Sequence, residues 1–159
     1  MGFVYADITL LNSYEVTASQ KGLIAKDDVK KCSVNALVDS GAVSLVINDS
    51  IAHQLDLQVQ EQVDVELADG THDKCDLVGP VEVRFKNRST SCRALVLPGA
   101  DEVLLGVIPL EAMDVMIDPC SQQLVVHPDR PYLAGMKCKS SCLTSIPPAQ
   151  RRDMPAWTR

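Results

Sequence analysis

Apolar and polar positions alternate along much of the first 127 residues, and a period of two predicts strands. "FVYADITLL", Phe3 to Leu11, alternates loosely and is rich in β-formers, so it reads as a first strand. The stretch from Asn12 to Asp28 is polar and holds one glycine, which predicts a loop or an irregular hairpin. "KKCSVNALVD" places Cys32, Val34, Ala36 and Val38 on one face, a strand ending at Asp39. "SLVI" continues extended after a turn.

"NDSIAHQLDL" changes period. Asn48 or Asp49 caps, and Ile51, Ala52 and Leu55 fall at helical spacing, which predicts a short helix. Val63, Val65 and Leu67 alternate again before Asp69-Gly70, a dipeptide suited to the positive φ of tight hairpin turns. A second hairpin follows, with Val81, Val83 and Phe85 alternating, a turn at Asn87-Arg88-Ser89 and "CRALVL" returning. "EVLL" is a strand that Gly106 breaks, and Pro109 opens a short helix over Leu110 to Met113. "VMID" and "QLVVH" are two strands around a turn at Asp118-Pro119-Cys120. The sum is eight or nine short strands and two short helices, a mostly-β domain built as a closed or sandwich-like barrel.

Composition agrees. Of 159 residues 46% are apolar and only 4% aromatic, so the core must be aliphatic. Charge divides the chain: residues 1–127 hold 9 basic and 19 acidic side chains, whereas residues 128–159 hold 6 basic and 2 acidic. The second stretch also holds five of the nine prolines and reads as a flexible basic tail on a single domain, 1–127. The net charge of −6 argues against a nucleic-acid partner. No apolar run approaches the ~20 residues of a membrane span. The opening "MGFVYADITLL" lacks a basic n-region and a long apolar run, and Ala6 breaks the myristoylation pattern, so the expected location is cytoplasmic. The six cysteines, Cys32, Cys75, Cys92, Cys120, Cys138 and Cys142, are then expected to be reduced.

The candidate chemistry starts at Asp39. A lone carboxylate straight after an apolar strand is costly unless it is hydrogen-bonded or paired, and the hydroxyl and glycine that follow make Asp39-Ser40-Gly41 either a surface turn or a reactive loop. A second feature lies 65 residues on: Leu104-Leu105-Gly106 leading into a helix. The ordered pair, Leu37-Val38-Asp39-Ser40-Gly41-Ala42 and then Leu104-Leu105-Gly106 with a hairpin between them, resembles the retropepsin-like aspartic proteases, and in particular their small prokaryotic members. The resemblance covers roughly Val34 to His127.

It implies a closed β-barrel with one lobe per chain, assembling as a two-fold homodimer that hydrolyses peptide bonds without cofactor or metal. Asp39 would be catalytic, with Ser40, Gly41 and Ala42 as its loop. Ala68, Asp69, Gly70 and Thr71 would form a flap over the substrate, and Leu105 and Gly106 would support the loop from beneath. The chain holds one Asp-Ser/Thr-Gly, so the second carboxylate must come from another copy of the chain. Where retroviral members place an Asp after the Ala and an Arg after the later Gly, this chain has Val43 and Val107.

Two further readings stay open. One is a retropepsin-like dimerisation or peptide-binding module without significant hydrolysis. The other is a β-barrel interaction domain unrelated to peptidases. Asp69-Gly70 is equally explained as a plain hairpin turn. His53, His72 and His127 have no metal-ligand spacing, and Cys138 with Cys142 reads as surface thiols or as a weak redox or metal pair. No Ser/His/Asp triad, P-loop or dinucleotide fingerprint is present.

Overall fold

The computed structural model describes residues 2–136, and all structural statements refer to these. Of the expected basic tail, 128–159, the part from 137 onward, with Cys138 and Cys142, lies outside the described residues.

Nine strands and three short helices make up the described chain: β1 (Tyr5–Asn12), α1 (Ser13–Gln20), β2 (Lys31–Val38), β3 (Leu45–Ile47), α2 (Asp49–Gln54), β4 (Val59–Glu66), β5 (His72–Phe85), β6 (Arg88–Val96), β7 (Leu104–Leu105), α3 (Val107–Ala112), β8 (Val115–Asp118) and β9 (Gln123–Val126). A single 3-10 turn occupies Lys26–Asp28. Seven strands form one sheet in the order β1-β2-β7-β3-β6-β5-β4, and β1 pairs a second time, with β5. β8 and β9 form a separate antiparallel pair.

The strand alternation predicted from the sequence decides which side chains turn inward. On β1, Ala6, Ile8 and Leu10 are buried while Tyr5 and Asp7 face out. On β2, Ala36 and Val38 are buried and Asn35 is exposed. Ile8, Leu10, Leu45, Ile47, Val81, Val83 and Leu105 form an aliphatic centre, joined by Phe85 and Met113. Burying each such side chain contributes about 1.5–3 kcal/mol, and that gain holds the short strands in place.

The structure corrects four local expectations. The polar stretch after Asn12 holds a helix, α1, so there are three helices rather than two. Asn12 caps it, accepting hydrogen bonds from the amides of Tyr14 (3.0 Å) and Glu15 (3.4 Å), while its own amide group donates to the carbonyls of Leu55 (2.9 Å) and Asp56 (3.3 Å). The helix exists because a buried side chain ties its first turn to the end of α2. Secondly, the two expected hairpins share one long strand. β5 runs through Gly79 and Pro80, and its register with β6 shifts there instead of breaking. Thirdly, Arg88 is the first residue of β6 and pairs with Phe85, so the turn is Lys86-Asn87, with Lys86 at φ 50°. Finally, α3 starts three residues before the expected Leu110, directly after Gly106, with Pro109 in its first turn where no intrahelical amide is needed.

After β9 the chain folds back on the body. Arg130 forms a two-pronged ion pair with Asp114 (both contacts 2.7 Å), and the Gly135 amide donates to the same carboxylate (2.8 Å). The buried Arg88 donates to the carbonyl of Arg130, and the Asn87 amide group donates to that of Pro131 (2.8 Å). Among the described residues no helix is long and apolar enough to cross a membrane.

Candidate active site

Asp39 stands one residue beyond the end of β2, on the loop that leads to β3. The two-residue strand β7 is inserted between these neighbours. It runs parallel to β2, with Leu37 opposite Leu104 and Val38 opposite Leu105, and antiparallel to β3, with Val46 opposite Leu104. The loop that carries the carboxylate is therefore floored by a segment from much later in the chain. The Asp39 amide donates to the Leu105 carbonyl (3.1 Å), and the loop closes on itself through the Ala42 amide and the Asp39 carbonyl (3.2 Å).

The question raised by a carboxylate after an apolar strand is answered by this geometry. Asp39 is half-buried, not enclosed, and its Oδ1 accepts the Gly41 amide at 2.8 Å. A Cβ on Gly41 would stand 3.1 Å from that oxygen, tighter than ordinary contact. Ser40 and Gly41 are exposed, Ala42 is half-buried and Leu105 is fully buried beneath the loop. Gly106 packs so tightly against the backbone of Ala42 and Ser44 that a side chain has no room. From there α3 begins, and its first amides bind the loop: Val107 donates to Ala42 (2.9 Å) and Ile108 to Val43 (3.0 Å). Val43 and Ile108 are exposed apolar side chains beside the carboxylate.

The expected flap residues divide. A cleft of about 830 Å³ opens between the Asp39 loop and the β4–β5 hairpin, and Ala68 lines it. Asp69, Gly70 and Thr71 form the exposed tip of the hairpin. Gly70 takes φ +80°, the left-handed conformation that glycine permits. Asp69 Oδ1 accepts from the Thr71 hydroxyl (2.6 Å) and amide (2.9 Å), and these bonds hold the Asp69 carboxyl below its ordinary value. The tip is thus a side-chain-locked turn.

Sequence reading missed the walls. Val46, Val63, Val65, Leu77, Leu95 and Leu97 line the cleft, contributed by β3, β4, β5, β6 and the residue after β6. Their signal was present in the alternation Val63, Val65, Leu67, which turns one face of β4 toward Asp39. Asp64 and Glu66 alternate with these valines, so their carboxylates project from the other, exposed face of β4.

Among the described residues no group of three His, Cys, Asp or Glu side chains is placed to hold a metal ion. Cys32, Cys75, Cys92 and Cys120 are free thiols, and burial pushes the Cys92 thiol up to about 11.

Comparison with known proteins agrees with this geometry. The sequence model of a family described as aspartyl protease matches residues 25–108, a span that includes Asp39, the β4–β5 hairpin and Gly106. Among solved structures the chain is similar to the crystal structure of the retroviral protease-like domain of Ddi1 from Leishmania major, with a TM-score of 0.51 and 18% identity over 80% of this chain and 90% of that one. No curated protein matches the sequence. The match over more than half of the chain, on residues that build the loop, its floor and its cover, means that the chain belongs to the aspartyl protease family and has the retropepsin-like fold.

Proposed function

We propose that the protein is a homodimeric aspartic endopeptidase in which Asp39 of each subunit supplies one half of a catalytic pair. The observation that carries this reading is the Asp39 loop itself: a carboxylate on a rigid backbone support, facing an apolar cleft under a hairpin. Each chain is read as one closed barrel of about 127 residues followed by the tail, and the second β1 ladder, to β5, supports closure.

One carboxylate cannot both take a proton from water and polarise the scissile carbonyl. Two carboxylates about 3 Å apart share a single proton, the behaviour for which aspartic proteases are the standard case. The ionised partner then acts as general base, while the protonated one hydrogen-bonds the carbonyl oxygen and later gives a proton to the leaving nitrogen. Ser40 would brace the two loops against each other across the two-fold axis. The exposed apolar pair Val43 and Ile108 supplies surface for that contact. A peptide would lie extended in the cleft, with Ala68 and the turn Asp69-Gly70-Thr71 above it, main chain to main chain. No cofactor enters this chemistry, and the reduced thiols and acidic surface fit a cytoplasmic enzyme without a nucleic-acid or membrane partner.

One observation favours a second reading. Val43 and Val107 stand where retroviral relatives carry an ion pair, so the chain lacks a charge that grips substrate. A dimeric peptide-binding module without significant hydrolysis would tolerate that loss. The separating experiment is a digest of casein or a peptide library at about pH 4 to 7, a range spanning carboxylate titration, with Asp39→Asn as control and the solution mass measured alongside. Cleavage that disappears in the variant supports the peptidase. A dimer that cuts nothing supports the binding module, and cleavage that survives Asp39→Asn overturns the assignment of Asp39.

A further inference from the structure

Phe3 precedes β1 and is 79% exposed, although the chain on either side of it is held. Val4 is buried, and its carbonyl accepts the Val38 amide at 2.8 Å. Gly2 lies against Gln122 in the β8–β9 turn, where a Cβ would stand 3.0 Å from Oε1. Tyr5, on the same face as Phe3, donates its hydroxyl to Glu102 at 2.7 Å. An aromatic ring is thus held in solvent by an anchored strand.

The ring stands beside the carboxylate. Tyr5 pairs with Leu37, and the bond between Val4 and Val38 carries that register on, so the next position sets Phe3 opposite Asp39. Residues opposite each other in an antiparallel pair share a face, with β-carbons about 5 Å apart. Leu37 and Asp39 flank the buried Val38, so they share the face of Tyr5 and Phe3.

Where two Asp39 carboxylates come within about 3 Å of each other, that face meets the second subunit. A ring one strand spacing, about 5 Å, from its own Asp39 then reaches the partner. The exposed apolar side chains around each Asp39 loop are Val43, 67% exposed, and Ile108, 50% exposed. Covering a phenylalanine with such a surface removes apolar area from water on both sides of the contact. Val43 also lines the cleft, whereas Phe3 is absent from the lining of its own.

We infer that Phe3 of each subunit packs on the partner's Val43 and completes the end of the partner's cleft. The inference rests on the paired-carboxylate reading, and it adds a side chain supplied in trans: the wall that Val43 begins ends on a ring from the other chain. Neither side chain carries charge, so the contact is apolar and self-complementary, made twice about the axis.

A charge exchange between subunits tests it, read as the dimer dissociation constant of the full-length protein by sedimentation equilibrium. Phe3→Arg sets a cation against an apolar side chain, Val43→Asp sets an anion there, and each change alone should weaken the dimer by at least about tenfold. Both side chains are exposed in the single chain, so neither change disturbs its core. An equal mixture of the two variants should form a mixed dimer about tenfold or more tighter than either variant alone, because one of its two contacts is unaltered and the other is an ion pair. If one chain bearing both changes dimerises but the mixture does not, the two side chains meet within a subunit and the inference is overturned. A dimer indifferent to both single changes overturns it too, and leaves the peptidase reading to the Asp39→Asn digest. An unsubstituted protein that stays monomeric overturns the paired carboxylates and this contact together.

Discussion

Gly106 and Ala42 meet through backbone alone. A Cβ on Gly106 would lie 2.7 Å from the Ala42 carbonyl oxygen, the same oxygen that accepts the Val107 amide at 2.9 Å. The neighbour is main chain and cannot rotate away. Gly106→Ala is therefore expected to cost about 1–3 kcal/mol, a fall in melting temperature of roughly 2–12 °C. Since the displaced atoms belong to the Asp39 loop, peptide hydrolysis should fall further than stability does. Calorimetry and a peptide assay on the same preparation check both halves.

If the reactive pair takes one carboxylate from each subunit, inactive subunits poison active ones. Equal amounts of unsubstituted and Asp39→Asn chains, unfolded and refolded together, should leave about a quarter of the dimers with two intact carboxylates. Activity per intact chain should halve. A titration in which activity follows the intact fraction linearly, rather than as its square, would mean that each subunit works alone.

Asn12 joins the start of α1 to the end of α2. It is buried, and its amide group and oxygen are both engaged. Asn12→Ala removes the cap and leaves the Leu55 carbonyl without its donor, at a cost of about 1–3 kcal/mol. Asn12→Asp keeps the cap acceptor but turns a carboxylate oxygen toward the Leu55 and Asp56 carbonyls, so at neutral pH it should cost at least as much as Asn12→Ala. Denaturant midpoints of the three proteins give the order directly.

Asp114 is held well below the ordinary carboxylate range, first by hydrogen bonds from Arg130 and then by the Gly135 amide. A lowered folded value means that the pair stabilises above the unfolded value, about 3.9, and that the gain is lost as pH falls toward the folded value. Arg130→Gln should thus melt lower than the unsubstituted protein at pH 7, with the two curves converging below about pH 4. Limited proteolysis at neutral pH should also cut the variant faster near Tyr132 and Leu133, which are exposed on the segment that Arg130 holds.

The strands and the turn at Asp39 were legible because each rests on a local rule. β2 alternates, Asp69-Gly70 has the chemistry of a tight turn, and Asp39 with Gly41 forms a contact two residues long. What escaped depends on distant partners. α1 has almost no amphipathic pattern and buries only Val16. Its one local sign is the order Asn12-Ser13-Tyr14-Glu15, a cap followed by an acid at the third helical position, but Glu15 binds Lys30 instead of closing back on the cap. β5 passes through Gly79-Pro80, residues that ordinarily end strands, because β4 and β6 flank it on both sides. Arg88 looked like a turn residue and is buried, since the segment after β9 covers it.

The insertion of β7 between β2 and β3 has a consequence for biosynthesis. A chain still emerging from the ribosome has made Asp39 long before Leu104 and Leu105, and until that pair arrives the acid rests on no floor. Such long-separation pairing is slow to form because a long loop must first close. The Asp39 loop consequently cannot settle on its floor until Leu104 and Leu105 have been made, an order of assembly written into the order of the strands.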